Sequence, residues 1–283
     1  MPARVASAPE VERPAVLDVR SVVKRYGAIL AVDDVSFRVG QGEVLALLGE
    51  NGAGKSSVIR CISGAESFDT GEILIDGQPA SIRTSTDARR YGIETVYQDL
   101  ALFDNLSISA NFFAGREIAR PRRLLGAGLL RNRMMAASAG ATLERVEVNL
   151  PDPRAQVGLL SGGQRQAIAV ARAVHFATRL VILDEPTAAL GVRESRNVLN
   201  LVRRLPDQGI SVILISHNLE HVTAVADRAV VLRRGRLVGE AVPTPQNHDR
   251  LVSMIVGAKP LSELPGERSS VTGAGAINSE DGR

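Results

Sequence analysis

Residues 16–27 and 31–43 alternate apolar and polar positions, rich in Val and broken by glycine, which predicts an antiparallel hairpin or meander. A continuous apolar run over 43–48 (EVLALL) reads as a buried strand, and the apolar spacing of SVIRCISG after Lys55 suits a helix. Residues 71–80 form a strand closing on an Asp-Gly turn, 85–92 a short helix, and 93–99 a strand running out at Gln98. From about 102 to 176 the texture changes to helix formers and arginines with no strong strand, which marks an inserted α-subdomain. LVIL at 180–183 and SVILIS at 211–216 are buried strands separated by an amphipathic helix over 192–205. A helix over 219–226, strands over 228–233 and 236–241 joined at Gly235, and a helix over 250–258 complete the pattern. Strands separated by helices predict a mainly parallel sheet with helices on both faces, an α/β domain over 15–258. Residues 1–14 read as a mobile leader and 259–283, rich in Gly, Ser and charge, as a disordered tail.

Composition narrows the function classes. With 283 residues, 45% of them hydrophobic, the chain is long enough for a full α/β core. A net charge of +3 is too small to imply nucleic acid, and 3% aromatics with no Trp argue against a stacking platform for single strands. The lone Cys61 precludes an intrachain disulfide framework, points to a reducing compartment, and is expected as small core filler. No apolar run approaches the roughly eighteen residues that span a bilayer, and the N-terminus lacks the apolar core of a signal peptide. Any membrane role is therefore expected through a partner. Residues 116–133 hold six arginines against Glu117, expected as a solvated surface, with contact to anionic lipid the sharper alternative.

The chemistry begins at GENGAGKS, residues 49–56, between the predicted strand and helix. Gly49, Gly52 and Gly54 let the backbone curl so that successive N–H groups face an anion, and the helix dipole adds to their field. Lys55 is placed to reach β- and γ-phosphates and the Ser56 hydroxyl to join a Mg²⁺ shell; Asn51 and Ser57 belong to the same expected cradle. This predicts a P-loop NTPase with a RecA-like parallel core, an antiparallel β-subdomain and the α-helical insertion. LVILDE ends its strand in two acids: Asp184 for Mg²⁺ and Glu185 to orient or deprotonate an attacking water. These features support a Mg-ATP or Mg-GTP site without separating the two. LSGGQRQ at 160–166 opens a second helix with Ser161 as N-cap, a second anion-binding terminus far along the chain from the first. One nucleotide has no need of two such termini in one monomer, so two chains arranged head to tail are expected.

In their order these motifs resemble the ATP-binding subunits of ABC transporters over roughly 16–257, and GENGAGKSS, VYQDLALFDNLSI, NFFAGRE and DEPTAALGVRES resemble single-cassette monosaccharide importers of the fructose and ribose type. The resemblance implies that Tyr26 stacks on adenine and that Gln98 serves the metal and the attacking water while linking to the α-subdomain. It also implies that His217 contacts the γ-phosphate and fixes the water of Glu185, and that Ser161, Gly162, Gly163 and Gln164 close on the nucleotide of the second chain. His221, one turn on, is expected on the helix surface, and His175 and His248 receive no role. Family members commonly place Asp where this chain has Gly191. The implied protein is a homodimeric, Mg-ATP-hydrolysing importer subunit on the cytoplasmic face of the membrane. Its partners are permease subunits and, indirectly, an extracytoplasmic sugar-binding protein, with no nucleic acid. The alternative is a soluble or other-substrate ABC ATPase.

Overall fold

A computed structural model describes residues 13–120, 129–148, 152–188 and 190–257. The expected leader, apart from Arg13 and Pro14, and the expected tail lie outside them. Strands β1 (Ala15–Tyr26) and β2 (Ile29–Gly40) pair antiparallel, with Tyr26 opposite Ile29 beside the turn. β3 (Val44–Leu48) leads through the glycine loop into α1 (Lys55–Ile62). β4 (Thr70–Ile75) turns at Asp76 and Gly77 into β5 (Gln78–Pro79), and the first sheet has the order β2-β1-β4-β5. α2 (Ser85–Arg90) starts at a capping box in which Thr84 and Asp87 satisfy each other's backbone N–H, and β6 (Ile93–Val96) follows.

Next come α3 (Ile108–Phe112), a two-residue ladder of β7 (Ala119–Arg120) with β8 (Leu129–Leu130), α4 (Asn132–Arg145) and α5 (Gly162–Phe176). The ladder corrects the expectation of no strand here; pairs this short leave no periodicity to read. β9 (Leu180–Asp184), α6 (Val192–Arg204), β10 (Ser211–Ile215) and α7 (Leu219–Val225) come next. The chain then forms the hairpin β11 (Arg228–Arg233) and β12 (Arg236–Ala241) and ends in α8 (His248–Val256). The second sheet runs β12-β11-β3-β10-β9-β6, parallel except for β12.

That sheet is the middle layer, and strand alternation divides its side chains. Leu45, Leu47, Leu180, Ile182, Ile213 and Ile215 face a core shared with α1 and the antiparallel sheet. Val181, Leu183, Val212 and Leu214 face the opposite core, built from α3, α4, α5 and α6. Ala46 and Leu48 join Val222 and Leu251 in a smaller cluster under α7 and α8. Burying each Leu or Ile contributes about 1.5–3 kcal/mol. A one-residue slip of β3 would exchange its two faces. Cys61 is core filler as expected: 1% exposed, its thiol pushed by burial up to about 11.

Arg116 departs from the expected solvated surface. Its guanidinium donates to both Glu94 carboxylate oxygens (2.8 and 2.9 Å) and lies 4.2 Å from the Phe176 ring centroid, tying the helical cluster to β6. Arg122 and Arg123 of the same basic stretch lie outside the described residues.

Candidate nucleotide-binding site

Parallel register brings the motif residues to one sheet edge. Ile215 of β10 stands level with Leu47 of β3 on one side and Asp184 of β9 on the other. The glycine loop, the acid pair and His217 therefore leave adjacent strands at their carboxyl ends, where ligands bind in open α/β sheets.

The loop needs its glycines sterically. Gly49 (φ 147°) would place a β-carbon 2.3 Å from the Leu232 carbonyl oxygen, and Gly54 (φ 102°) one 2.5 Å from the Ala31 carbonyl oxygen. Gly54 caps α1 with no side-chain acceptor, and the first N–H groups of a helix have no partner inside it. Lys55 Nζ lies across the loop mouth and donates to the Gly49 (2.7 Å) and Glu50 (3.0 Å) carbonyls. Burial lowers its pKa, opposed by the charges of Glu185 and Asp184. Asn51 and Ser56 are exposed and Ser57 is half-buried.

Burial, reinforced by the Glu185 charge, raises the pKa of Asp184 against the pull of Lys55 and Arg60. Two adjacent acids with an unfavourable ionic balance fit a divalent cation that completes its shell with phosphate oxygens and water. Glu185 adopts a left-handed backbone (φ 50°), donates its N–H to the Ile215 carbonyl (3.0 Å), and accepts with Oε1 from His217 Nδ1 (2.9 Å). The His217 side chain is 76% exposed and that of Glu185 16%, so the imidazole stands on the solvent side of the carboxylate.

Tyr26 lies at the rim of α1. Its hydroxyl pairs with Glu66, the Lys24 ammonium lies 5.3 Å from its ring centroid, and burial followed by the Glu66 contact raises its pKa. Gln98 is exposed just beyond β6. Its neighbour Tyr97, which sequence reasoning missed, places its hydroxyl 2.7 Å from Ser63 Oγ at the end of α1. His221 is also corrected: it is half-buried, with Nδ1 3.0 Å from Thr187 Oγ1, beside Pro186. Only spacing along α7 was legible, and the contact comes from the turn after β9.

Ser161, Gly162, Gly163 and Gln164 stand apart. Ser161 Oγ accepts from the Gln164 N–H (3.2 Å) while Gln164 Oε1 accepts from the Ser161 N–H (3.0 Å), a complete capping box. Among the described residues no hydrogen bond or ion pair joins these four to the glycine loop. Ser161, Gly163 and Gln164 border a groove of about 650 Å³ that Glu194 and Asn197 also line.

Known proteins resemble this chain in sequence and in fold. The chain is 46% identical over 247 residues to a fructose import ATP-binding protein of Rhizobium meliloti, covering 86% of this chain and 95% of that one. It is 43% identical over 253 residues to a ribose import ATP-binding protein of Rubrobacter xylanophilus, where 89% of this chain spans about half (49%) of the relative. A xylose/arabinose import ATP-binding protein of Sulfolobus acidocaldarius is 44% identical over 222 residues, 78% of this chain and 86% of its own. The ADP conformation of MJ1267, an ATP-binding cassette of an ABC transporter, superposes with a TM-score of 0.73 at 23% identity, over 86% of this chain and 99% of that one. The dimeric cassette MJ0796 superposes at 0.66 and 21% identity, over 80% and 98%. At these identities the two structures speak for the fold alone. The ABC transporter family matches residues 32–188, and with its P-loop, acid pair and capped LSGGQ helix on this fold the chain belongs to that family.

Proposed function

We propose that this chain binds and hydrolyses Mg-ATP to energise a simple-sugar importer. The observation that carries the reading is the shared edge of β3, β9 and β10, where Lys55, Asp184, Glu185 and His217 meet. Sugar import enters from the relatives, whose names specify ribose, fructose and xylose or arabinose.

In this reading Lys55 exchanges its two loop carbonyls for phosphate oxygens, and the amides of the glycine loop cradle the phosphates. Ser56 and Asp184, with Gln98, would hold Mg²⁺, which when bound neutralises charge on the phosphate oxygens. Glu185 takes a proton from the attacking water as its oxygen bonds to the γ-phosphorus and the bond to the ADP oxygen breaks. As the imidazolium, His217 holds the Glu185 carboxylate through Nδ1–H and offers Nε2–H to the γ-phosphate. Tyr26 supplies a ring face for the base.

Ser161, Gly162 and Gly163, remote from this monomer's loop, complete the site of a second copy. Head-to-tail dimer closure then depends on nucleotide, because both chains bind the same triphosphate. Among the described residues no helix is long and apolar enough to cross a membrane. With the import role named for its relatives, the cassette would work at the membrane through spanning partners, with an external sugar-binding protein acting indirectly.

Glu185→Gln tests this. Steady-state hydrolysis should fall by roughly a hundred- to ten-thousandfold while nucleotide binding persists and an ATP-dependent dimer accumulates. Wild-type turnover in that variant removes Glu185 from the mechanism, and a monomer at saturating ATP removes the shared site.

A further inference from the structure

Two histidines four residues apart reach the same turn. His217, just past β10, meets Glu185 Oε1 at 2.9 Å, and His221, in the first turn of α7, meets Thr187 Oγ1 at 3.0 Å. The turn follows β9 and is tight: Glu185 (φ 50°), Pro186 and Thr187 are closed by the Ala188 N–H donating to the Glu185 carbonyl at 3.0 Å. Thr187 is buried, so its hydroxyl needs a partner inside the protein, and His221 supplies one. The histidine stands on fixed backbone. Asn218 caps α7, its Oδ1 accepting from the Glu220 (2.9 Å) and His221 (3.2 Å) N–H groups, and Val222 is buried with Ala46 and Leu48 of β3. A glutamate keeps a left-handed backbone only where its surroundings impose it. Here Ile215 accepts from the Glu185 N–H at 3.0 Å, and the Thr187–His221 bond ties the rest of the turn to a second element.

We propose that His221 is a positioning residue for Glu185. It acts through Thr187, fastening the turn after β9 to the start of α7, so that the carboxylate stays aimed at His217 and at the place of the attacking water. The path is short, since Thr187 is two residues from Glu185 and His221 four from His217. Small displacements of a reacting group are expensive, which gives a hydrogen bond outside the chemistry its leverage on rate. This proposal rests on the reading of Glu185 as the base, given above.

Two substitutions remove the bond from opposite sides while keeping shape: Thr187→Val exchanges the hydroxyl for a methyl, and His221→Phe keeps a ring without Nδ1. Each should lower kcat about fivefold or more, while affinity for a fluorescent ATP analogue stays within about twofold. The double variant should match the lower single to within about twofold. His221→Asn places a donor and an acceptor near the position of Nδ1, serving the bond in either direction, and should return kcat to within about twofold of wild type. In single-turnover hydrolysis on a Glu185→Gln background, His221→Phe should cost less than about twofold, because a residue that acts through the carboxylate has nothing left to place. A role in packing alone would lower both backgrounds equally. If His221→Phe does not fold, Thr187→Val carries both the kcat and the Glu185→Gln arms. Wild-type kcat in either single variant, multiplied losses in the double, no recovery with His221→Asn, or the full loss on the Glu185→Gln background overturns the proposal. Glu185→Gln alone is the control. Wild-type turnover there removes the base and this proposal with it; an inactive Glu185→Gln beside a fully active His221→Phe removes this proposal alone.

Discussion

Glu185 sits in a backbone conformation that a glutamate adopts only under constraint, and the cost is measurable. Its φ of 50° lies in the left-handed region, unfavourable by roughly 1–2 kcal/mol for a residue with a β-carbon. Comparing Glu185→Gly with Glu185→Ala isolates that term. Both remove the carboxylate, both lose the His217 contact, and both relieve the charge beside Asp184, so those effects cancel. What remains is the β-carbon. Glycine escapes the strain but loses about 0.5–1 kcal/mol through the greater freedom of its unfolded chain. The net expectation is that Glu185→Gly is more stable than Glu185→Ala by up to about 1.5 kcal/mol, a Tm difference of roughly 2–4 °C per kcal/mol for a domain of this size. Differential scanning fluorimetry without nucleotide reads it, with single-turnover hydrolysis alongside to show both variants inactive. An alanine variant melting at or above the glycine variant refutes the idea that strain is held at this residue. Hydrolysis surviving in either would refute its role as base.

Gly54→Ala should lower Tm and weaken nucleotide binding together, because the new β-carbon meets the Ala31 carbonyl oxygen at 2.5 Å and φ is 102°, a backbone cost of about 1–3 kcal/mol; wild-type melting and titration with a fluorescent ATP analogue would contradict this. His175 should make stability fall in mild acid. Its ring is packed against Phe113 and Phe176 at 5.3 and 4.6 Å between centroids, and burial, then the charges of Arg145 and Arg116, lower its pKa from the ordinary 6.5. The unfolded chain then takes up a proton first, so stability is full above 6.5 and declines as pH drops below it toward the lower folded value. His175→Gln should flatten the Tm-against-pH slope between about pH 7.5 and 5.5, and equal slopes in the two proteins would remove His175 as the cause.

Legibility in the sequence followed the range of the interactions. β3, β9 and β10 announced themselves because strands buried on both faces are continuous apolar runs, and the glycine loop because its steric demands fall on consecutive residues. The capping box of Ser161 and Gln164 was half legible: Ser161 was read as the cap, while the reciprocal bond from Gln164 needed the helix geometry. His221 was misread because its partner, Thr187, lies on another strand connection. Arg116 was misread because a run of arginines gives no sign of which one finds Glu94 and Phe176. The packing of the Glu194 stem against Gly163 was invisible for the same reason, since only the meeting of α6 with α5 creates it.

Hydrogen bonds also fix the chain on either side of Gln98. Before Gln98, Tyr97 is tied to α1 through Ser63 at 2.7 Å, and α1 carries Lys55 and Ser56. After it, the carbonyls of Leu100 and Ala101 accept from the Arg172 guanidinium of α5 at 2.9 and 3.1 Å. Slightly further on, the Phe103 N–H donates to the fully buried Asn111 at 2.8 Å. The chain is therefore clamped to the nucleotide side at one end and to the LSGGQ side at the other. Gln98 and Asp99, both exposed, lie between the clamps. On the proposed reading, in which Gln98 serves the metal, that placement would let one side chain feel both the nucleotide site and the helices packed around α5.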